Sequence, residues 1–338
     1  MTTILVTGGA GFIGSHTCVV LLEAGFNVIV ADNFSNSSKE ALSRVQAITG
    51  KTLTCYEIDL CITEAVRQIF LDNRIDAVIH FAGLKAVGES CQHPFSYYYT
   101  NLTSTLTLIK EMTRADVKNL IFSSSATVYD SANPIPYQED YSLASSSPYA
   151  ETKIMIETIL ADTFQSELDW RISVLRYFNP GGAHPSGLIG ENPRSTPNNL
   201  IPYVTQVAVG KRDRLKVFGN DYPTPDGTGV RDYVHVMDIA NGHLEALVEQ
   251  LDSRGKLFET YNLGSGKGYS VLDIIQMFER ISHQKIPYEI VARRAGDIAE
   301  FYADTTKIER KLGWKANLDL TEICRDAWHW QEKNPEGF

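Results

Sequence analysis

Short apolar runs alternate with longer amphipathic stretches through the first half of the chain. The apolar runs predict six β-strands, at residues 4–6, 26–31, 53–58, 77–83, 120–122 and 172–175. The stretches between them predict five helices, at residues 15–24, 39–48, 63–71, 95–113 and 149–164. Regular alternation of strands and helices predicts a parallel, doubly wound α/β sheet.

The pattern changes after Asn179. Residues 181–202 and 218–229 are rich in glycine, proline and polar residues, which is typical of loops. Helices are predicted at residues 238–249 and 270–281, a short strand at 261–263, and a helical cap at the C-terminus. We therefore predict a first domain of residues 1–179, to which part of 232–263 returns, and a second of residues 180–231 and 264–338.

A glycine-rich segment follows the first predicted strand. Gly8, Gly9, Gly11 and Gly14 include the G-x-G-x-x-G spacing, and a predicted helix follows directly. Glycines let backbone amides close on a pyrophosphate, which then lies at the positive end of the helix. The fold class is therefore predicted to be a doubly wound parallel Rossmann sheet with a smaller C-terminal α/β substrate-binding unit.

Asp32 stands at the end of the second predicted strand, 18 residues after Gly14. This is near the spacing of the acid that binds a ribose hydroxyl in dinucleotide-binding folds. Because a carboxylate there disfavours the 2′-phosphate of NADP, the sequence predicts NAD as the cofactor.

A tyrosine and a lysine four residues apart are the candidate catalytic pair. Ser147 can cap a helix and Pro148 suits its first position, so Tyr149 and Lys153 share one helix face. A neighbouring ammonium favours the phenolate, so we expect Lys153 to lower the pKa of Tyr149 and make it a proton acceptor. A hydroxyl cluster at residues 123–129, which includes Ser123 and Ser125, follows the fifth strand, where open α/β sheets bind ligands.

Composition narrows the possible partners. A formal charge of -10 argues against nucleic acid and anionic membrane as main partners. The five cysteines are scattered and show no C-x-x-C, which predicts a reducing, cytoplasmic location and no metal site. The N-terminus enters a strand at once, and no stretch approaches the ~18 apolar residues of a membrane span.

The glycine motif, Asp32, Ser125, Tyr149 and Lys153 together resemble the extended short-chain dehydrogenase/reductase superfamily. Finer motifs resemble the UDP-glucose 4-epimerases over essentially the whole chain: residues 81–85, 123–129, 176–180, 198–200 and 219–233. The resemblance implies an isomerase of galactose metabolism that interconverts UDP-glucose and UDP-galactose through a transient 4-keto sugar with tightly bound NAD.

The resemblance also implies a set of binding residues. Those expected to contact NAD are Gly8, Gly11, Phe12, Ile13, Gly14, Asp32, Asn33, Asp59, Leu60, Phe81, Ala82, Lys85, Asn101, Ser123, Tyr149, Lys153, Tyr177 and Phe178. Those expected to contact the UDP-sugar are Ser125, Asn179, Asn199, Leu200, Phe218, Arg231, Tyr233, Arg294, Asp297 and Phe301.

Further expectations concern specificity, assembly and alternatives. In such enzymes the position of Phe301 walls the space around the sugar, and a bulky residue there disfavours N-acetylated sugars. The family pairs equivalent helices into a four-helix interface, so residues 95–113 and 149–164 are expected to form a homodimer. The alternatives are another nucleotide-sugar enzyme of the superfamily, such as a 4,6-dehydratase, and a non-catalytic dinucleotide sensor.

Overall fold

A computed structural model describes residues 1–166, 169–294 and 296–338. It divides into two units, which are described separately. Unit 1 comprises Met1–Asp130, Tyr141–Arg176 and Ala240–Tyr261, and unit 2 comprises Ser131–Asp140, Tyr177–Ile239 and Asn262–Phe338.

Helices and strands alternate from the first residues onward. The strands are β1 Thr3–Thr7, β2 Asn27–Asp32, β3 Thr54–Glu57, β4 Ala77–His80, β5 Asn119–Ser125, β6 Arg171–Tyr177, β7 Asn179–Gly181, β8 Leu215–Phe218, β9 Val230–His235, β10 Leu257–Leu263, β11 Gly268–Ser270, β12 Tyr288–Val291 and β13 Glu300–Phe301. The α-helices are α1 Phe12–Glu23, α2 Lys39–Thr49, α3 Thr63–Asp72, α4 Val87–Gln92, α5 Pro94–Arg114, α6 Pro148–Ser166, α7 Leu200–Ala208, α8 Val236–Asp252, α9 Val271–Ser282, α10 Thr306–Leu312 and α11 Leu320–Lys333.

The central sheet has seven strands in the order β10-β6-β5-β4-β1-β2-β3. The pairings from β3 through β5 are parallel, and the order reverses at β1, as in doubly wound sheets. Strands β1, β2 and β4 are almost continuously apolar because helices cover both faces of the sheet. The predicted fold class is confirmed, and each strand and helix predicted before residue 176 is present with shifted ends.

Unit 2 is built on smaller sheets. Strand β9 is the centre of one, pairing with β7 and β13 in parallel and with β11 in antiparallel orientation. A second sheet pairs β8 with β12. Helices α7, α9 and α11 pack on a common apolar core with Val217, Ile274, Phe278 and Ile323.

Residues 131–140 group with unit 2, although the sequence prediction had placed them in the first domain. The reason is backbone pairing: Tyr137 N–H donates to the carbonyl of Tyr302, and Asp304 N–H donates to the carbonyl of Tyr137. Pairing between positions so far apart leaves no periodic signal in the sequence. Within the described residues, no helix is both long enough and apolar enough to cross a membrane.

Candidate functional site

The glycine motif forms a tight turn between β1 and α1. Gly8 has a φ of 68°, and a Cβ there would lie 2.7 Å from the amide nitrogen of Ala82. At Gly14, an added Cβ would overlap the carbonyl oxygen of Gly8. Gly11 is the N-cap of α1 and carries no side chain, so the helix presents the amides of Phe12 and Ile13 to an anion. These features fit a dinucleotide pyrophosphate.

Asp32 links the glycine turn to the loop that follows β2. One carboxylate oxygen accepts from Ala10 N–H at 3.0 Å, and the other from Phe34 N–H at 2.9 Å and the Ser37 hydroxyl at 2.7 Å. A carboxylate has about four acceptor positions, so one remains for a ribose hydroxyl. The residue therefore fits its predicted role while also bracing the turn.

Asn101 is buried, and its side chain is hydrogen-bonded to two other segments of unit 1. Its amide oxygen accepts from Leu84 N–H at 2.8 Å, and its amide nitrogen donates to the Leu84 carbonyl at 3.1 Å and the Thr152 hydroxyl at 3.0 Å. Thr152 in turn donates to the carbonyl of Tyr149 at 2.7 Å. Asn101 therefore ties the loop that carries Lys85 to α6. The amide oxygen has a second acceptor position, so the expected contact with NAD stays a prediction.

Behind that loop lies a buried polar chain. Thr7 and His80 are hydrogen-bonded at 2.7 Å, His80 and Thr105 at 3.0 Å, and Thr105 donates to the carbonyl of Asn101 at 2.8 Å. Burial lowers the pKa of His80 to about 3, so the ring is neutral and each nitrogen has one role. The chain connects β1 with the helix that bears Asn101.

The candidate proton acceptor lies on the first turn of α6. Ser147 accepts from Ala150 N–H at 3.2 Å, which confirms the predicted cap. Burial raises the pKa of Tyr149, and a hydrogen bond with Ser125 partly offsets this effect. The Ser125 hydroxyl also lies 2.9 Å from that of Thr127. The structure thus brings together Ser125 and Tyr149, as predicted.

Lys153 lies beside Tyr149, but its ammonium bonds elsewhere. Its Nζ donates to the carbonyl of Ser123 at 2.7 Å and lies 5.9 Å from the centre of the Tyr149 ring. Burial lowers the pKa of Lys153 to about 8, against an opposing effect of Glu157. The expectation that Lys153 lowers the pKa of Tyr149 is therefore corrected: burial dominates, and the pKa of Tyr149 is raised.

The other candidate cofactor residues of unit 1 lie on loops after strands. Asn33 accepts from Ser35 N–H at 3.0 Å, and Asp59 accepts from Cys61 N–H at 2.8 Å, so both brace turns. Leu60 is buried, and the ring of Phe81 lies 4.7 Å from that of His243.

The last two candidate cofactor residues, Tyr177 and Phe178, belong to unit 2 and are buried there.

Two predicted substrate residues meet in unit 2. Arg231 on β9 lies 3.6 Å from the carboxylate of Asp297 and donates to the carbonyl of Val230 at 2.8 Å. The guanidinium of Arg294 stacks over the ring of Phe218, 3.8 Å from its centre. Guanidinium forks suit a diphosphate, and the ring offers a stacking face to a base.

Phe301 belongs to an aromatic group in unit 2. Its ring centre lies 4.5 Å from that of Tyr137 and 5.0 Å from that of Phe178. Strand pairing places Phe301 opposite Arg231. Phe301, the predicted wall residue, is therefore held in place by two neighbouring rings. Its strand, β13, pairs with the strand that carries Arg231, a candidate phosphate-binding residue.

The remaining substrate candidates differ in how accessible they are. Asn199 is the N-cap of α7 and donates to Glu191 at 2.8 Å, and Leu200 is the first residue of that helix. Asn179 is half-buried on β7. Tyr233 is only 5% exposed and packs in the core of unit 2, so its position offers a substrate little access.

Sequence reasoning missed a buried ion pair in unit 1. Glu157 and Arg176 are joined at 2.7 Å, with both side chains less than a tenth exposed. The spacing of Tyr149, Lys153 and Glu157, each four residues from the last, was the available signal, because it places all three on one helix face.

Comparison with known proteins agrees with this geometry. A family model described as GDP-mannose 4,6 dehydratase matches residues 5–327. The UDP-glucose 4-epimerase of Bacillus subtilis (strain 168) is 56% identical over 335 residues, which cover 99% of this chain and 98% of that protein. That of Dictyostelium discoideum is 53% identical, with 99% and 97% covered.

Among solved structures, the Bifidobacterium longum UDP-glucose 4-epimerase in complex with NAD+ and UDP aligns with a TM-score of 0.96. The two chains are 50% identical, and the alignment covers 100% of each. The family model places the chain among the extended short-chain dehydrogenases/reductases. Within that superfamily, the chain belongs to the UDP-glucose 4-epimerase family.

Proposed function

We propose that this protein is an NAD-dependent epimerase that interconverts UDP-glucose and UDP-galactose at C4 of the sugar. The observation that carries the proposal is the grouping of Ser125, Tyr149 and Lys153 at the end of β5 and the start of α6. Full-length identity above 50% to UDP-glucose 4-epimerases supports the same reaction.

The residues around the glycine turn fit NAD. The amides of Phe12 and Ile13 would bind its pyrophosphate, and Asp32 would accept from a ribose hydroxyl. When bound, NAD supplies a hydride acceptor that regenerates in each cycle, and its oxidised ring carries a positive charge that favours a phenolate. Tight retention of the cofactor follows, because turnover never requires its release.

Tyr149 handles the proton. As a phenolate it takes the proton of O4, directly or through Ser125, and it returns this proton when the sugar has been inverted. The 4-keto sugar must turn within the site between these two events. Lys153 binds a ribose hydroxyl and places a positive charge next to Tyr149 once protonated.

Unit 2 supplies the groups suited to the UDP moiety. Arg231 and Arg294 offer paired N–H donors to the diphosphate, Phe218 offers a ring to the uracil, and Asn179 and Asn199 offer amides. An anchored diphosphate lets the sugar turn over without leaving.

A 4,6-dehydratase is the nearest rival, and the matched family model carries that description. Elimination of water requires an additional acid–base pair, which such enzymes typically carry as Asp-Glu beside the active-site threonine. Here Ser125-Ala126-Thr127 offers hydroxyls and no carboxylate. A non-catalytic dinucleotide sensor is disfavoured because Tyr149 and Lys153 are both present.

The test is to incubate the purified protein with UDP-galactose, without added reductant, and to separate the products by chromatography. We expect UDP-glucose to accumulate until the two sugars reach equilibrium. A 4-keto-6-deoxy product would instead indicate a dehydratase. Recovery of unchanged UDP-galactose would indicate a sensor and refute the proposal.

We also propose a cytoplasmic homodimer. Phe95, Tyr99 and Leu106 recur on one face of α5 and are 78%, 54% and 50% exposed, and Met155 on α6 is 39% exposed. Such an apolar face is typical of a helix that packs against a second copy. Light scattering at micromolar concentration should give twice the mass of the chain, and the monomer mass would refute the dimer.

A further inference from the structure

A buried carboxylate lies on the same face of α6 as Tyr149 and Lys153, the proposed catalytic pair. Glu157 follows Lys153 by one turn of α6 on the same helix face. One of its oxygens accepts from Arg176 Nε at 3.1 Å, and the other from Arg176 Nη2 at 2.7 Å. This two-point pairing fixes the orientation of the carboxylate, because the planar guanidinium matches both oxygens.

The same carboxylate holds the strand that supplies the catalytic hydroxyl. The Ser124 hydroxyl donates to Glu157 at 2.5 Å. Ser124 lies between Ser123, whose carbonyl accepts from Lys153, and Ser125, which bonds to Tyr149. Glu157 therefore binds the middle residue of the segment 123–125, and the two outer residues of this segment contact Lys153 and Tyr149.

Arg176 extends the contact to the segment after β5. Its guanidinium stacks on the ring of Tyr129, 4.8 Å from the centre. Tyr129 directly follows the turn that includes Thr127, the hydroxyl partner of Ser125. Glu157 and Arg176 therefore fix both ends of the hydroxyl cluster to α6.

Charge adds a second effect. The groups that face Lys153 are Tyr149 and Glu157 on its own helix, Ser123 and Phe122 on β5, and His80 on β4, with Arg176 behind Glu157. Burial makes the pKa of His80 too low for it to be charged at neutral pH. Glu157 is therefore the negatively charged group in this set, and it favours the ammonium form of Lys153.

We propose that Glu157 is a positioning residue for the epimerisation: it holds Ser125 against Tyr149 through Ser124 and Arg176, and it places a negative charge one helix turn from the ammonium of Lys153. This role rests on the proposed function, in which Tyr149 is the proton acceptor. Glu157 itself needs no contact with the substrate.

The test compares Glu157→Gln with a matched control, Glu111→Gln. Glu111 is 1% exposed and pairs with Arg67 at 3.2 Å and Arg114 at 2.9 Å, away from the hydroxyl cluster. Each change removes one buried charge that is paired with arginine. We expect Glu157→Gln to lower kcat by ~10²-fold with little change in KM, since small displacements of catalytic groups have effects of this size. Glu111→Gln should leave kcat near that of the unmodified enzyme.

The pH profile separates positioning from general stability. In Glu157→Gln the alkaline fall of kcat should begin about one pH unit lower than in the unmodified enzyme, because Lys153 loses its proton more easily. Glu111→Gln should not move this limb. An unchanged profile in Glu157→Gln, or an equal loss of kcat in both variants, would overturn the proposal.

Two further measurements keep the test decisive. The titration of Lys153, followed by NMR of protein carrying labelled lysine and assigned with Lys153→Met, should shift to lower pH in Glu157→Gln only. It requires no turnover, so it tests Glu157 even if UDP-galactose is not converted, a result that would count against the proposed function instead. If Glu157→Gln does not fold, Ser124→Ala decides: we expect a lower kcat with unchanged KM, and an unchanged kcat would overturn the role.

Discussion

Replacing Asn101 with alanine should loosen the loop that carries Lys85 and weaken its link to α6. The substitution removes three hydrogen bonds at once, two to the backbone of Leu84 and one to Thr152. Thr152 is fully buried, and its hydroxyl keeps its bond to the carbonyl of Tyr149. Leu84 is only partly buried, so water can replace some of what its backbone loses.

The size of the effect follows from these environments. A buried polar group left without a partner costs ~1–3 kcal/mol, and a group that water can reach costs less. With one buried and two partly buried partners, we expect Asn101→Ala to lower the free energy of unfolding of unit 1 by about 2–4 kcal/mol. The loop should then retain NAD less tightly.

Urea unfolding and the NAD content of the purified protein measure the two consequences. Asn119→Ala is the matched control, because Asn119 also donates to a backbone carbonyl, that of Asp76 at 2.8 Å, but is not linked to the loop or to α6. We expect a larger loss of stability in Asn101→Ala than in the control, together with partial loss of NAD. Equal stability in the two variants, with full NAD content in both, would refute the reasoning.

Three other predictions concern the reaction. Tyr149→Phe should retain NAD but turn over ~10²–10⁴-fold more slowly, since it lacks the proton acceptor; kcat near that of the unmodified enzyme would contradict this role. Burial lowers the pKa of Lys153 from 10.5 to about 8. The buried ammonium therefore lowers the free energy of unfolding below pH 8, and this loss disappears as the pH rises towards 10.5. Activity that needs the ammonium should fall earlier, with a midpoint near pH 8, because it follows the pKa of the folded state. The pH profiles of kcat and of the unfolding free energy, each compared with Lys153→Met, check both signs. The enzyme should prefer UDP-glucose and UDP-galactose over their N-acetylated counterparts, and Phe301→Cys should narrow the ratio of kcat/KM values by about tenfold. An unchanged ratio would show that Phe301 is not the wall.

Local sequence signals were enough to predict the first unit. The glycine spacing, the acid at Asp32 and the alternation of strands and helices each depend on neighbours along the chain, and the structure contains the corresponding strands, turn and helices. The cap formed by Ser147 is of the same kind.

Features that depend on distant partners were not predictable in this way. Asn101 matched a binding position in the family pattern, but its bonds to Leu84 and Thr152 are set by packing between helices. The pKa of Tyr149 is shifted upward because the side chain is buried, and burial cannot be read from the spacing of Tyr149 and Lys153. Tyr233 lies two residues after Arg231 and so shares its face of β9, yet it packs in the core of unit 2, which the motif does not reveal.

The pairing of β13 with β9 has a consequence for how this region can vary. Strand β13 is two residues long, and its register sets Phe301 opposite Arg231. Inserting or deleting one residue between Asp297 and Phe301 would turn the phenylalanine to the opposite face of the strand. Chain length in this segment is therefore a constraint separate from residue identity: a substitution at position 301 reshapes the wall, whereas an insertion or deletion before it moves the side chain away from the wall altogether.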